Sequence, residues 1–268
     1  MSLLNWQLLT LSRRRLYQFC TAIMVNSYFF SFFKCFPFPV LNCYSCPLAI
    51  FACPIGTIQF FATTGSIPYF TLGVVGLTGV IVGRMTCGWL CPFGLLQDLM
   101  FKIVPKEITI GRKWGYLRYA FLGLGVIILP LFWVNEFGLG ERYFCEICPA
   151  GTLEAGIPHL LLDPSLQKLL GGFFIFKMSL LLIVVGMVLL IRRAFCRLFC
   201  PLGAMLGVFN RFSGLQIKVD NHKCNHCGVC QKKCPVDLPI YSAEGSPACI
   251  NCLECTTCNH VSYQFKPL

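Results

Sequence analysis

Apolar and polar positions along this chain fall into long blocks, not into the short alternation of surface strands. Residues 16–33, 67–82, 116–134 and 173–191 are each apolar over roughly the 20 residues that a helix needs to cross a bilayer. The second block is short but runs on through Gly83, and Lys177 sits near one end of the fourth, where its long stem can reach an interface. Residues 94–104 and 159–170 carry the spacing of interfacial amphipathic helices, with ordinary loop as the alternative. Beyond residue 212 the blocks give way to a short mixed segment dense in cysteine. The expected fold is an all-α membrane protein of four transmembrane helices, built as a duplicated two-helix unit over 1–113 and 114–212. A small α+β domain follows at 213–268.

Charge gives these spans a direction. Arg13, Arg14 and Arg15 precede the first span. Arg84, Lys102, Lys106, Arg112, Lys113 and Arg118 lie between the second and third, and Arg192, Arg193, Arg197 and Arg211 follow the fourth. The other two connections hold only Lys34, then Arg142 and Lys168. Basic residues mark cytoplasmic loops, so both termini are expected in the cytoplasm. The three arginines precede an apolar stretch with no small-residue cleavage site, so the first helix reads as a permanent anchor.

Composition agrees: 56% of the 268 residues are hydrophobic and 12% charged, far from a soluble average. The formal net charge of +11 suggests nucleic acid, but it counts the 19 cysteines as neutral. A [4Fe–4S] cube on four thiolates carries about −2, so three or four cubes cancel roughly 6 to 8 positive charges. Nucleic acid is therefore excluded as a partner, and membrane lipid takes its place.

The cysteines carry the chemistry. Cys224, Cys227, Cys230 and Cys234 are spaced C-x2-C-x2-C-x3-C and followed by Pro235, the ligand run of a bacterial two-cluster ferredoxin. Cys249, Cys252, Cys255 and Cys258 form a second run, with a final gap of two residues and Asn259 in place of proline. Because the fourth cysteine of such a run ligates the other cube, Cys224, Cys227, Cys230 and Cys258 are expected around one cluster. Cys249, Cys252, Cys255 and Cys234 are expected around the other. A zinc ribbon needs only one C-x2-C per knuckle, and no C-x2-C-H marks a c-type haem. Of four histidines, His222, His226 and His260 lie in the tail and only His159 outside it, so a bis-histidine haem within the spans is excluded. Lys223, Lys232 and Lys233 form a small basic rim that offsets cluster charge or docks an acidic carrier.

The membrane part repeats itself. Cys87 and Cys91 follow the second span and Cys196 and Cys200 the fourth, both as C-x3-C-P-x-G on the expected cytoplasmic side. On the outer side Cys53-Pro-Ile-Gly-Thr matches Cys148-Pro-Ala-Gly-Thr, with Cys43 and Cys46 before the first and Cys145 before the second. If the halves pack about a pseudo-twofold axis, Cys87, Cys91, Cys196 and Cys200 meet around one cube. Cys145 and Cys148 would join two of Cys43, Cys46 and Cys53 around another, or the outer set would form a disulfide. The proline is expected to stop a helix and the glycine to allow a reversal, in re-entrant turns that dip inward. Cys20 reads as a small buried hydrophobe, and Cys35 has no partner at a telling spacing.

Four spans, two C-x3-C-P-x-G motifs (Cys87 to Gly94 and Cys196 to Gly203) and a double-cubane tail together resemble the NapH-type membrane ferredoxins. That group includes the polyferredoxin-like parts of NosR and CcoG proteins. The resemblance implies a subunit that relays electrons between cytoplasmic and membrane [4Fe–4S] clusters and a partner redox enzyme, with quinol oxidation as a further implication. No catalytic side chain is assigned. A quinol dehydrogenase in its own right would need a proton acceptor, for which His159, Glu154 and Glu136 stand on the outer side. The third alternative is an assembly or anchoring factor for a redox enzyme.

Overall fold

The computed structural model describes residues 3–27, 31–104, 108–132, 143–169, 171–220 and 222–265. Glu136, Arg142 and Lys106 lie outside them. The first helix, α1 (Leu3–Val25), carries an inverted amphipathic pattern. Arg14, Gln18, Thr21 and Val25, at helical spacing, are buried, whereas Leu16, Tyr17, Phe19, Ile23 and Met24 are exposed. A helix with its polar stripe inward and its apolar face outward suits hydrocarbon surroundings. Its position corrects two expectations. The helix ends at Val25 instead of running to residue 33, and a 3₁₀ turn covers Ser31–Cys35. Cys20 lies exposed on α1, because its position falls on the outward face.

Two helices among the described residues, Lys113–Phe132 and Gly172–Leu190, are long and apolar enough to cross a membrane. The expected second span is α3 (Tyr69–Val82), preceded by α2 (Pro54–Thr63). Its 14 residues rise only about 21 Å, short of a hydrocarbon core of about 30 Å. Pro68 precedes it, and Gly83 ends it at a positive φ of 60°. A side chain there would press on the Asn210 Oδ1. That oxygen accepts the Arg84 N–H at 2.8 Å.

The two short helices after α3, α4 (Met85–Trp89) and α5 (Pro92–Met100), have counterparts after the fourth span in Ala194–Leu198 and Pro201–Phe209. The amphipathic segment at 94–104 is thus helical as far as Met100, and Phe93, Gly94 and Gln97 of α5 are buried. The segment at 159–170 divides into Ile157–Leu162 and a 3₁₀ stretch, Pro164–Leu169.

In the tail, β1 (Leu215–Val219) pairs antiparallel with β2 (Val261–Phe265), Leu215 opposite Phe265 and Val219 opposite Val261. One continuous core runs from Val40 and Leu41 through Phe93, Phe195 and Leu206 to Val236, Ile250 and Val261, so the ferredoxin-type tail and the helical part share an interior. Asn210 and Asn251 fasten them. The Asn210 Nδ2 donates to Ser246 O at 3.0 Å and Cys249 O at 2.6 Å, and the Asn251 Nδ2 donates to Val82 O at 3.2 Å.

Candidate metal centres

Four Cys-Pro-x-Gly segments adopt one local structure. Cys53, Cys91, Cys148 and Cys200 each cap a helix in extended conformation, with φ between −65° and −72° and ψ between 111° and 126°. As expected, helices stop at this step: Met85–Trp89, Tyr143–Ile147 and Ala194–Leu198 end just before Cys91, Cys148 and Cys200. The proline also opens the next helix, since the residue before proline is pushed to extended backbone and proline suits the first helical position, where its missing N–H is not needed. The glycine two residues further on makes no reversal, contrary to expectation. Its amide faces the cysteine sulfur, from Gly56 to Cys53, Gly94 to Cys91, Gly151 to Cys148 and Gly203 to Cys200. The last is a hydrogen bond of 3.4 Å. Each thiol therefore meets N–H groups at a helix N-terminus, where negative charge is favoured.

Cys87, Cys91, Cys196 and Cys200 are brought together, all buried. Cys91 stands within electrostatic reach of Cys196 and Cys87, and Cys200 of Cys196, Cys87 and Cys91. Their surroundings contain residues that the motif search did not single out. Gln97 donates to the Cys196 sulfur at 3.0 Å and accepts the Phe195 N–H at 3.2 Å. Arg193 donates to Cys87 O at 2.9 Å, and Arg84 to Cys196 O at 3.3 Å. Each arginine stands three residues before its own first cysteine and reaches across to the other half. Aligning the repeat on Cys87 and Cys196 would have exposed the pair as R-x2-C-x3-C-P-x-G.

In the tail the two cysteine runs interleave. Cys230 lies by Cys258 and Cys224, so the irregular last gap does not carry Cys258 away. Cys255 lies by Cys252, Cys249 and Cys234. Burial raises the thiol pKa of Cys234 to about 11 and of Cys249 and Cys252 to about 12. Such thiols are protonated at neutral pH, so metal binding there releases protons. Cys227 is exposed. In the basic rim, Lys233 donates to the Thr257 hydroxyl at 3.2 Å, and the exposed Lys223 lies 3.6 Å from Asp220.

On the far side from the tail, Cys43, Cys53, Cys145 and Cys148 line one cavity of about 290 Å³. Cys46 turns away, its sulfur 3.8 Å from the Asn26 Oδ1. Gln59, fully buried, accepts the Cys145 N–H at 2.9 Å and donates to Gly125 O at 2.9 Å. Glu154 accepts the Cys43 N–H at 2.6 Å, and burial raises its carboxyl pKa to about 7. His159 meets Ser45 O at 2.9 Å. Both candidate proton acceptors among the described residues thus brace the loop that carries Cys43. Cys35, exposed, stays outside the sets.

Each set is four thiols, a donor set that fits an iron–sulfur cube. Arg84 gives a second test: its side chain is buried, its Nε has no hydrogen-bond partner, and among the described residues it has no carboxylate. A buried cation without a counter-charge costs several kcal/mol, and a dianionic cluster beside Cys196 supplies one.

Helices fit for a bilayer, joined to paired cysteine runs of ferredoxin type, define an iron–sulfur electron-transfer protein of membranes. A family model described as a 4Fe-4S binding domain matches residues 63–115, 120–160 and 173–219. The three matched pieces contain Cys87 and Cys91, Cys145 and Cys148, and Cys196 and Cys200, respectively. The chain is 32% identical over 231 residues to an uncharacterized protein of Methanocaldococcus jannaschii, covering 80% of this chain and 87% of that protein. It is 27% identical over 190 residues to the putative electron transport protein YccM of Escherichia coli, 67% of this chain but only 48% of YccM. With the ferredoxin-type protein NapH of Escherichia coli it shares 24% over 227 residues, 76% and 68% of the two chains. The chain belongs to the NapH-type ferredoxin family of membrane proteins. No solved structure matches it.

Proposed function

We propose that the chain is a membrane electron relay with four [4Fe–4S] sites in series. Two are in the tail, held by Cys224, Cys227, Cys230 and Cys258 and by Cys234, Cys249, Cys252 and Cys255. The third is held by Cys87, Cys91, Cys196 and Cys200, and the fourth, on the far side, by Cys43, Cys53, Cys145 and Cys148. When bound, the cubes supply one-electron carriers. The protein supplies burial, N–H groups facing sulfur and fixed positive charge, which set potentials.

The contiguity of the cysteine sets carries this reading. Gly88, next to Cys87, lies so close to the tail that an added Cβ would stand 2.6 Å from Ile250 O and 3.5 Å from the Cys252 Cβ. At the other end the Leu41 N–H faces the Cys91 sulfur, and the Asn42 N–H faces the Cys53 sulfur. Neighbouring amides of one strand of chain thus touch two sets, which supports electron steps between adjacent sites. The 4Fe-4S family match supports ligation in the membrane part, since it falls on the repeat and ends before the tail quartets.

The partner is a redox enzyme of a membrane complex, reached at the far-side site or at the exposed Cys227 end of the tail. Both termini lie on the tail's side, in the cytoplasm. The bracing contacts of Glu154 and His159 favour a relay over quinol oxidation at the far side. Anaerobic purification of Cys87→Ser, Cys43→Ser and Cys234→Ser, with iron analysis and EPR of the reduced proteins, tests the assignment. Each variant should lose a different signal and about four irons or fewer. Loss of the same signal in all three would overturn it.

A further inference from the structure

The repeat is symmetric in its cysteines and arginines but not in its acids. Seven residues after the second cysteine, one half has Asp98 and the other Gly207. Asp98 closes a two-pronged pair with Arg193, Nε to Oδ1 at 2.8 Å and Nη2 to Oδ2 at 2.7 Å. At Gly207 a Cβ would lie 2.7 Å from Pro247 O and 3.4 Å from the Arg84 Cδ. The tail backbone therefore occupies the place that the acid holds in the other half. Arg84 donates there to two neutral carbonyls, Pro247 O at 2.8 Å and Ala248 O at 3.3 Å. Gly203 makes room for it: a Cβ at that position would be 2.7 Å from the Arg84 Nη2.

Ala248 is followed directly by Cys249, and the Arg84 charge acts on Cys249 on one side and on Cys196 on the other. The Nη1 donates to both tail carbonyls and the Nη2 to Cys196 O, all neutral acceptors that cancel no charge. Arg193, equally buried, also faces both sites at Cys196 and Cys252, but its charge is paired with Asp98.

We propose that Arg84 is the positioning residue that couples the tail site of Cys234, Cys249, Cys252 and Cys255 to the membrane site of Cys87, Cys91, Cys196 and Cys200. It clamps the 247–249 loop onto the membrane half, and its uncancelled charge raises the reduction potential of both sites. Adding an electron makes a cluster more negative, so a fixed cation at their junction favours the reduced form of either. No proton or further reactant enters. The inference rests on the four-site reading above.

The test is an EPR-monitored redox titration of the full chain in detergent, with iron counted in each sample. Arg84→Gln keeps amide donors for the carbonyls but removes the charge. It should shift the reduction equilibrium of both sites at least tenfold toward the oxidised form, about 59 mV for one electron. Arg84→Lys keeps the charge and should restore most of the shift, even if the tail becomes easier to cleave with protease. Asp98→Asn frees the charge of Arg193 and should move the membrane site the opposite way. Unchanged potentials in Arg84→Gln with full iron, or an equal fall in Arg84→Lys, overturn the role of Arg84 and leave the relay standing. If Arg84→Gln does not assemble, the lysine and Asp98→Asn titrations decide alone, and an unmoved or lowered membrane site in Asp98→Asn counts against it. A wild-type protein with iron for the tail sites only would instead remove the four-site reading.

Discussion

Asp98→Asn is the most informative single perturbation of the fold. Asp98 accepts from Arg193 at 2.8 and 2.7 Å and from Arg14 at 2.7 Å, and the two arginine side chains are 1% and 4% exposed. The carboxylate thus holds α1 and α5 to the helix pair after the fourth span. Asparagine keeps the shape and one acceptor but leaves two cations near the interior with, among the described residues, a single paired acid, Glu254, at 2.6 Å from Arg14. Breaking a buried pair from one side costs about 3–5 kcal/mol. For a chain of this size each kcal/mol is worth roughly 2–4 °C, so the apparent Tm should fall by about 6–20 °C. Heating in detergent, followed by size-exclusion chromatography of what remains monodisperse, measures it. The control is Asp220→Asn at the exposed pair with Lys223, which should cost about 0.5 kcal/mol or less. The loss should also depend on pH. Burial alone would raise the Asp98 pKa, but Arg193 and then Arg14 outweigh it and hold it below the ordinary value. The pair's stabilisation is therefore complete above a carboxylate's usual pKa of about 4 and fades as pH falls through the lower, folded value. Wild type and variant should converge in acid. A difference under about 2 °C at pH 7 on that same scale, or one that persists unchanged in acid, would refute the reasoning.

Other consequences are as specific. Cys46→Ser should keep the full iron content, whereas Cys53→Ser should lose the far-side signal and leave the tail signals intact, as read by EPR. Gln59→Leu removes the hydrogen bonds to the Cys145 N–H and the Gly125 O, a loss of about 1 kcal/mol each. It should empty the far-side site before any other, seen as iron lost on mild heating. Gly88→Ala forces a Cβ to within 2.6 Å of Ile250 O and should speed proteolytic release of the tail without altering the tail's own spectrum.

Cysteine spacing made the grouping of the sets legible, because the cluster chemistry dictates which residue types recur at which intervals. The interleaving of Cys230 with Cys258 and of Cys234 with Cys255 follows from it. Hydropathy was less informative. The outward apolar face of α1 reads as a span, but its inward stripe of Arg14, Gln18 and Thr21 is visible only once the packing partners are known. Arg14 also serves an ion-pair hub with Asp98 and Glu254, which charge counting does not reveal. The glycine makes no reversal, for a local reason. In Cys-Pro-x-Gly the cysteine is the cap and the proline the first helical residue, and the glycine's task depends on an amide facing sulfur and on a guanidinium from the other half. Which of Cys43, Cys46 and Cys53 faces the far-side cavity is set by the fold of 36–53, whose bridge from Pro37 to Ala52 has no spacing signature.

The central claim is that the membrane cysteines hold clusters as the tail does. Iron and acid-labile sulfide per chain, measured on anaerobically purified protein, test it most directly. The account predicts about sixteen of each, four per cube; about eight of each, with EPR signals from the tail alone, would contradict it.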